Sequence, residues 1–336
     1  VRPLIANLDT LPILDRDLVL KNSFLKDIDK KTFYTTRGCP YECSYCCNNY
    51  YHDLYRGKGK FVRRFSVERT IQEIEYVKKN YKTEFIKFGD DVFAMRADDW
   101  LREFSKKYKD RIGVPFNCYL RFDTATDELL ELLREAGCYS VHLSVDSTSA
   151  HVREHVLNRR TRKIDIPRAL RKIRSYGINT WVNFMLAAPE STTRDDINTI
   201  FMGKKGKVTY TAYSMTSPMN GTKLYDYCLK NGYIDADFVG DMSTSLEDLS
   251  HLKCFSKRDK NIRFNILCLG AIAAKMPYPL LFLFLMMIIL VPSNSFFLKI
   301  RSLYYKYSIE NKIFKVDKCV IDATDLTTNW AKKYEN

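Results

Sequence analysis

The residues best suited to chemistry in this chain are three cysteines in one short loop. Cys39, Cys43 and Cys46 are separated by three and two residues, and Gly38 and Pro40 flank the first of them. Thiolates are soft ligands, so three of them in one loop can bind a single soft metal centre. Iron–sulfur clusters are normally held by four cysteines, and three would leave one iron open to an outside ligand. The spacing therefore predicts a reactive metal site rather than a closed structural one.

Neighbouring side chains leave a second interpretation of this loop open. Cys47 or His52 could supply a fourth ligand and complete a zinc site, because zinc sites with three cysteines and one histidine are common. Tyr45 stands immediately before Cys46, where its ring could stack on a flat ligand. The cysteine spacing alone does not decide between zinc and iron.

The elements that must position this loop alternate along the chain. Apolar periodicity, helix caps and turn residues predict six strands with helices between them. The predicted strands cover 31–36, 84–88, 115–122, 140–145, 178–186 and 208–213, and the predicted helices begin at Ser66 and then cover 98–108, 126–136, 166–176, 192–202 and 224–231. This alternation predicts an α/β fold, a parallel sheet with right-handed crossovers that curls into a partial TIM-like barrel.

Acidic residues follow two of the predicted strands. Asp90 and Asp91 end the second strand and Asp146 ends the fourth, at the edge where sheets of this kind build their sites. Adjacent carboxylates repel each other, and a bound ammonium group would relieve that repulsion. A helix cap or a turn is the alternative for the Asp90–Asp91 pair.

Polar side chains also alternate with apolar ones within the strands. In a closed barrel covered by helices, parallel strands are usually apolar on both faces. Polar faces therefore predict a lumen wide enough to hold a substrate, whereas an antiparallel sheet facing water is the alternative that the intervening helices disfavour. The polar set predicted to bind the substrate is Asn117, Tyr119, His142, Asn179 and Asn183.

Composition restricts the class of protein. The 336 residues can form one large domain, and the apolar and charged fractions are those of an ordinary globular protein. The cysteines outside the loop are scattered singly, and no signal peptide precedes them, so we expect a reducing cytoplasm. The net charge of +14 favours a solvated basic surface over a nucleic-acid site, because lysine and arginine are spread along the chain. A first residue other than Met predicts a fragment of something longer.

These residues together resemble the radical S-adenosylmethionine (SAM) superfamily, in the branch that carries an upstream cobalamin-binding domain. The resemblance covers about 8–234 and is most specific in the cysteine loop. It extends over the ordered motifs Gly89-Asp90-Asp91-Val92-Phe93, Arg121-Phe122-Asp123, Ser144-Val145-Asp146-Ser147, Val156-Leu157-Asn158-Arg159 and Asn220-Gly221-Thr222. So many motifs in order are more specific than the cysteines alone, and they disfavour zinc.

The resemblance implies a role for each matched residue. Cys39, Cys43 and Cys46 would bind three irons of a 4Fe-4S cluster, and the amino and carboxylate groups of SAM would chelate the fourth. The remaining implied SAM contacts are Tyr45 beside the adenine, Asp90 or Asp91 at the amino group, Ser144 and Asp146 at the ribose hydroxyls, and Arg121 and Arg159 at the carboxylate.

The resemblance also implies an activity. The reduced cluster would cleave SAM to methionine and a 5′-deoxyadenosyl radical, which abstracts hydrogen from a substrate. With cobalamin, methyl transfer to the substrate or its rearrangement would follow. A reductant such as flavodoxin or ferredoxin is implied, and the substrate is an unidentified small or lipid-like molecule. No nucleic-acid-binding module is visible. The alternatives are a cobalamin-free radical SAM enzyme and a non-catalytic zinc or iron–sulfur binding module.

One motif departs from the family pattern. Residues 187–192 read Ala-Ala-Pro-Glu-Ser-Thr where the family usually reads Gly-x-Pro-Gly-Glu-Thr, so two glycines are lost and a glutamate is replaced by Ser191. Ala187 in place of glycine predicts crowding of any ligand that approaches this backbone. The cobalamin domain is not part of this sequence, although the Leu-Asp-x-Leu-Pro connector that normally follows it is present.

We predict three regions: a connector over 1–30, a radical SAM core over 31–234 and a mostly helical region over 235–336. Helices are predicted at 245–254 and 260–274. The apolar run 278–291 is too short to span a membrane, which needs about 20 residues. It favours a buried helix, and the alternative is a membrane-surface anchor over 278–306. The alternative would place this otherwise cytoplasmic protein at the periphery of a membrane.

Overall fold

A computed structural model describes residues 1–316 of the chain except 22, 162, 242–244 and 247. The last part of the region predicted over 235–336, residues 317–336, therefore lies outside the described residues. The described residues form eight strands. They are β1 (Lys30–Phe33), β2 (Thr36–Arg37), β3 (Arg63–Arg64), β4 (Phe85–Phe88), β5 (Phe116–Tyr119), β6 (Cys138–Asp146), β7 (Asn179–Leu186) and β8 (Tyr210–Met215).

Six of these strands form one parallel sheet in the order β1-β4-β5-β6-β7-β8. Strands of this sheet that follow one another along the chain also lie next to one another, as short connections favour. Within the described residues β1 and β8 pair only on one side, so the sheet has two edges. The predicted partial barrel is confirmed, with the strand ends shifted by a few residues. β2 and β3 form a separate antiparallel pair beside the cysteine loop.

The helices that connect these strands begin at side-chain caps. Ser66 Oγ accepts from the amide of Arg69, and Thr126 caps its helix in the same way. The helices are α1 (Arg16–Leu20), α2 (Cys47–Leu54), α3 (Val67–Asn80), α4 (Asp99–Arg111), α5 (Asp127–Glu135), α6 (Ile166–Ser175), α7 (Thr193–Lys205) and α8 (Lys223–Lys230). The predicted crossover helices are confirmed. The sequence did not predict α2, which follows directly from the cysteine loop.

Packing distinguishes the two faces of the sheet. The rings of Phe88 and Phe116 contact Phe104 and Tyr108 of α4, so this face is covered by helices. Successive side chains of a strand point to opposite faces. Lys87, next to Phe88, therefore points to the inner face of the curved sheet.

The segment before β1 packs on α3. Asp9 Oδ1 accepts from the amide of Ser66 at the start of α3, and Arg16 forms an ion pair with Glu73 at 2.7 Å. Leu8 is buried. The segment thus contributes to the core of the molecule, while the division of the chain into three regions stays a prediction.

The helices whose bounds the structure describes after α8 are α9 (Lys257–Ala273), α10 (Tyr278–Leu290) and α11 (Phe296–Ser308). From Ile262 onward α9 is almost wholly buried, and it packs against β8 and α7. The helix predicted over 278–291 is present as α10, but the prediction that it is buried is wrong, because only Leu281, Leu285 and Ile288 are buried. The helix predicted over 245–254 is present at 245–246, but 248–254 is not helical. In the part of the chain that the structure describes, no helix is both long enough and apolar enough to cross a bilayer.

A short segment after α11 closes the amino-terminal end of the inner face. Ser140 Oγ donates to the carbonyl of Ile313 at 2.7 Å. The ring of Phe314 lies 5.3 Å from Phe85 and 6.2 Å from Trp181, and Lys30 Nζ lies 4.6 Å from its centre. We call residues 309–314 the floor segment, because they separate the inner face from solvent at that end.

Candidate functional site

The cysteine loop lies between β2 and α2, at the carboxyl end of the sheet. Gly38 opens it with φ +84°, and a Cβ atom there would lie 2.6 Å from the carbonyl oxygen of Phe61. Only glycine fits this position. Cys39 and Cys43 are buried, and Cys46 is half-buried. The loop thus keeps three thiols, which are close together in the chain, largely away from bulk water.

Two side chains donate hydrogen bonds to these sulfurs. Arg159 Nη1 lies 3.8 Å from Cys43 Sγ, and Asn48 Nδ2 lies 3.6 Å from Cys46 Sγ. Burial raises the pKa of all three thiols, to about 12 for Cys39. Hydrogen-bond donors around buried sulfurs tune the thiolates of an iron–sulfur cluster, whose positive irons offset the desolvation of the thiolates. These residues fit a 4Fe-4S cluster.

The side chains proposed as a fourth zinc ligand do not complete a zinc site. His52 Nε2 is hydrogen-bonded to the carbonyl oxygen of Cys39 at 2.7 Å, and its ring packs on Phe61. Cys47 is exposed at the start of α2. Over the described ranges, no three Cys, His, Asp or Glu side chains converge closely enough to hold one metal ion. A cluster differs from zinc here, because each of its thiolates binds a separate iron.

Asp146 connects the cysteine loop to the end of β6. Its Oδ2 accepts from the hydroxyl of Tyr45 at 2.9 Å and lies 2.5 Å from Arg159 Nε. That contact is an ion pair without hydrogen-bond geometry, since Arg159 Nε has no hydrogen-bond partner. Ser144 Oγ donates to the other carboxylate oxygen. The structure therefore brings four predicted SAM-contacting residues together next to Cys43.

The backbone at Asp146 is unusual for a strand. Its φ is +68°, and the pairing of β6 with β7 shifts register between Ser144 and Asp146. A non-glycine residue in the left-handed region costs about 1–3 kcal/mol, and such strain concentrates at functional sites. The bulge turns the carboxylate toward Tyr45.

The two adjacent aspartates at the end of β4 have different surroundings. Asp90 is buried and accepts four hydrogen bonds, two each from Thr35 and Thr36. Burial raises its pKa, and these bonds partly offset the effect. Asp91 is exposed, and its charge acts on the thiols of Cys39 and Cys46. Of the two predicted contacts for an ammonium group, Asp91 is therefore the one whose carboxylate remains open to a ligand.

Arg121 is buried in a different set of contacts. It donates to both carboxylate oxygens of Asp123, at 3.0 and 2.9 Å, and to the carbonyl of Arg160. Its guanidinium lies 3.9 Å from the ring centre of Tyr41 in the cysteine loop. These contacts stabilise the loop. The structure does not place Arg121 in the network around Asp146.

The polar residues predicted to line the lumen separate into three groups. Tyr119, His142 and Asn183 form one around Trp181, and Asn117 and Asn179 each lie elsewhere. The rings of Tyr119 and Trp181 stack on either side of His142, at 4.4 and 4.1 Å. Asn117 donates to Ser140 lower on the inner face. Asn179 contacts Arg174 at the amino end of β7, away from the cysteines. Asn183 accepts from Trp181 at 3.0 Å.

Comparison with known proteins decides the family. The profile of the radical SAM superfamily matches residues 33–201, half of the chain. The chain belongs to the radical SAM superfamily. It is 26% identical over 234 residues to an uncharacterized methyltransferase of Pyrococcus horikoshii, covering 69% of this chain and 50% of that protein. It is 23% identical over 216 residues to the cytidylyl-2-hydroxyethylphosphonate methyltransferase of Streptomyces wedmorensis, covering 61% and 38%.

Among solved structures, the radical SAM methyltransferase TsrM from Kitasatospora setae, with cobalamin and a 4Fe-4S cluster bound, has the same fold. It superposes with a TM-score of 0.52 at 17% identity, over 63% of this chain and 42% of that one. The chain spans about half the length or less of the curated relatives it matches. The roles of individual residues stay predictions.

The structure also accounts for the motif that departs from the radical SAM pattern. Ala187 and Glu190 stand at the two lost glycines, and both adopt positive φ, +55° and +65°. The backbone has kept the glycine conformation although the residues have changed. Ser191 Oγ is buried without a hydrogen-bond partner, next to Arg263, which pairs with Asp196 at 2.5 Å. A groove of about 460 Å³ lies beside this pair; Cys254 lines it, but the cysteines of the loop do not.

Sequence reasoning missed three residues around the radical SAM site. Asn48 donates to the sulfur of Cys46, and Tyr41, within the loop, packs on the guanidinium of Arg121. No sequence pattern singles out either residue. Lys87 lies on the inner face below the loop. Its signal was present in the sequence, because it is a lysine inside the apolar strand Phe85-Ile86-Lys87-Phe88.

Proposed function

We propose that this chain is the catalytic core of a radical SAM methyltransferase that uses a 4Fe-4S cluster. The observation that carries the proposal is the contact of the Asp146–Arg159 pair with the cysteine loop, through Tyr45 and the Cys43 sulfur. The naming of two relatives as methyltransferases supports the type of reaction. When bound and reduced by an external reductant, the cluster supplies the electron that cleaves SAM.

The residues of the chain bind and orient in this proposal. Cys39, Cys43 and Cys46 hold three irons, and the donors on two of the sulfurs stabilise the thiolates. Asp91 accepts from the SAM amino group at the rim of the sheet. Asp146, held by its buried partners, presents the edge of its carboxylate to the ribose hydroxyls, so that the nucleoside is placed in a fixed orientation.

We propose cobalamin as a second cofactor that carries the methyl group. The supporting observations are the fold shared with a cobalamin-bound methyltransferase and the Leu-Asp-x-Leu-Pro connector at the start of the chain. Cobalamin-free hydrogen abstraction is the alternative. Addition of cobalamin to the reduced protein with SAM, followed by mass spectrometry of labelled methyl groups, separates the two.

The first test is anaerobic reconstitution with iron and sulfide, followed by reduction, addition of SAM and assay of 5′-deoxyadenosine. We expect about four irons per chain and formation of 5′-deoxyadenosine. Cys43→Ala should remove both. Cys47→Ala is the matched control, because this exposed cysteine is next to the loop and outside the proposed ligand set, and it should behave as the wild type. One tightly bound zinc, or full activity of Cys43→Ala, would contradict the proposal.

We also propose that α10 and α11 rest on an anionic membrane surface. The outward face of α10 exposes Tyr278, Leu280, Phe282, Leu283, Met286 and Leu290, and that of α11 exposes Phe296, Leu303 and Tyr307. A helix that is apolar on all sides is normally buried in protein or in lipid. Lipid is favoured by charge, since the sequence has no Asp or Glu between Asp259 and Glu310 but carries exposed Lys299 and Lys306 there.

Vesicle sedimentation tests this surface. We expect the protein to bind vesicles of phosphatidylcholine with phosphatidylglycerol, and much less to bind phosphatidylcholine alone. Replacing Phe282 and Leu283 together by Asp should weaken binding by at least tenfold, because each buried side chain contributes about 1.5–3 kcal/mol. Leu18→Asp is the control, since Leu18 is equally exposed but lies on α1. Equal binding by the double variant, or a vesicle-free dimer that the double variant abolishes, would contradict the proposal.

A further inference from the structure

Lys87 presents a positive charge on the inner face of the sheet without an acidic partner. It is half-buried, and burial lowers its pKa. Throughout the described part of the chain, its ammonium group makes no hydrogen bond and no ion pair. Its contacts are the ring faces of Tyr119 at 5.0 Å and Trp181 at 5.9 Å. Trp181 lies three strands away from Lys87 in the sheet, so the lysine reaches across the curved inner face.

The imidazole beside this lysine is also incompletely bonded. His142 is buried between the rings of Tyr119 and Trp181, and its Nδ1 has no hydrogen-bond partner. Burial and the charge of Lys87 lower its pKa to about 3, so the ring is neutral at pH 7. His142 has a side-chain hydrogen bond with Asn183, so the groups that lack a partner are its Nδ1 and the ammonium group of Lys87.

Lys87 and His142 lie on the inner face below the cysteine loop, a position that suits the binding of a substrate. Lys87 precedes the last residue of β4, and Asp91 follows the same strand at the rim. The floor segment closes the opposite end of the inner face through Ile313 and Phe314. A molecule that entered from the rim would meet Lys87 and His142 after it passed the cysteines.

We propose that the inner face binds the anionic group of the substrate, a carboxylate or a phosphate, through Lys87 and His142. The aromatic rings of Tyr119 and Trp181 then line the apolar part of the same molecule. The proposal rests on the proposed function only in taking the bound molecule as the substrate. An anion would supply the counter-charge that half-buried Lys87 lacks, and His142 beside it has a nitrogen, Nδ1, without a hydrogen-bond partner.

Ligand-observed NMR on the reconstituted protein tests the charge preference. Benzoate, phenyl phosphate and benzamide share one ring and differ in charge. We expect at least one of the two anions to bind at least tenfold more tightly than benzamide, and the better anion identifies the group. Lys87→Met should remove the preference, Lys87→Arg should keep most of it, and His142→Phe should reduce it about threefold. Lys106→Met, at an exposed lysine of α4, is the matched control and should bind as the wild type.

Three results would overturn the inference. They are equal affinity for anions and benzamide, a preference that survives Lys87→Met, and failure of all three ligands to bind at about 10 mM. The outcome is separable from that of the proposed function. If SAM is cleaved but anions are not preferred, only this inference fails. If anions are preferred but SAM is not cleaved, the proposed function fails and the anion site stands.

Discussion

Buried charges are paired differently at the rim of the sheet, meaning the carboxyl ends of its strands, and on its inner face. At the rim, Asp146 is paired with Arg159, and Asp90 is surrounded by four hydrogen-bond donors. On the inner face, among the described residues, the Lys87 ammonium group contacts only aromatic rings, and His142 Nδ1 has no hydrogen-bond partner. Both regions are largely removed from water. The buried charges of the rim are thus paired by the chain itself, whereas in our proposal a bound molecule pairs with the charge on the inner face.

Removal of the Asp146 carboxylate would disrupt the ion pair and the hydrogen bonds at the rim. Asp146→Ala leaves Arg159 buried without a counter-charge and the Tyr45 hydroxyl without its acceptor. We expect a loss of about 3–5 kcal/mol in the free energy of unfolding of the cluster-free protein, measured with guanidinium chloride. Asp146→Asn keeps an acceptor for Tyr45 and should lose less. A loss below about 1 kcal/mol for Asp146→Ala would mean that the pair is dispensable.

The pH dependence of stability should reveal the buried imidazole of the inner face. The pKa of His142 is lowered to about 3, so the unfolded chain takes up a proton near pH 6.5 while the folded chain does not. Acid therefore favours unfolding, and stability falls as pH decreases from about 7 toward 3. We expect His142→Phe, which preserves the stacking, to remove about 3 kcal/mol of the difference between pH 7 and pH 4. Superimposable unfolding profiles of the two proteins would contradict this.

Removal of the lysine charge should stabilise the substrate-free protein. Lys87→Met keeps most of the side-chain volume and eliminates a half-buried cation without a partner. We expect a gain of about 1 kcal/mol in the free energy of unfolding, whereas Lys106→Met should change it by less than about 0.5 kcal/mol. A clear destabilisation by Lys87→Met would indicate that the ammonium group has a structural partner, and the contrast with the rim would disappear.

The smallest expected effect concerns the backbone beside the rim. Ala187 has φ +55° and its amide donates to Asp196 at 3.2 Å. Glycine would adopt this conformation without strain but has more freedom in the unfolded chain, so the two effects partly cancel. We expect Ala187→Gly to stabilise the protein by about 0.5 kcal/mol in thermal unfolding. Ala188→Gly, at a neighbour with ordinary φ, should destabilise it.

Local patterns explain which parts could be predicted from the sequence. The strands, the crossover helices and the cysteine loop depend on residues close together in the chain, such as Ser66 with the amide of Arg69. α2 was missed because Cys47-Asn48-Asn49-Tyr50 has no apolar stripe. The exposure of α10 could not be predicted, because hydropathy does not reveal whether another surface covers a helix.

Contacts between residues that are distant in the chain explain which features of the site the sequence did not predict. Asp146 and Arg159 were both predicted to contact SAM, but their pairing depends on how the end of β6 meets the segment that follows it. The different surroundings of Asp90 and Asp91 depend on Thr35 and Thr36, which are more than fifty residues away. Lys87 stands out in the sequence as a lysine inside an apolar strand, but its contact with Trp181 depends on the curvature of the sheet.

The floor segment has a consequence for how the protein is made on the ribosome. The last strand of the sheet ends at Met215, but Ile313 and Phe314, which close the inner face, are synthesised about a hundred residues later. Contacts of such separation form slowly, because the intervening chain must first be ordered. A nascent chain that has emerged only as far as β8 exposes Phe85 and Trp181 to solvent. We therefore expect the barrel to reach its final packing only after α9 to α11 have left the ribosome.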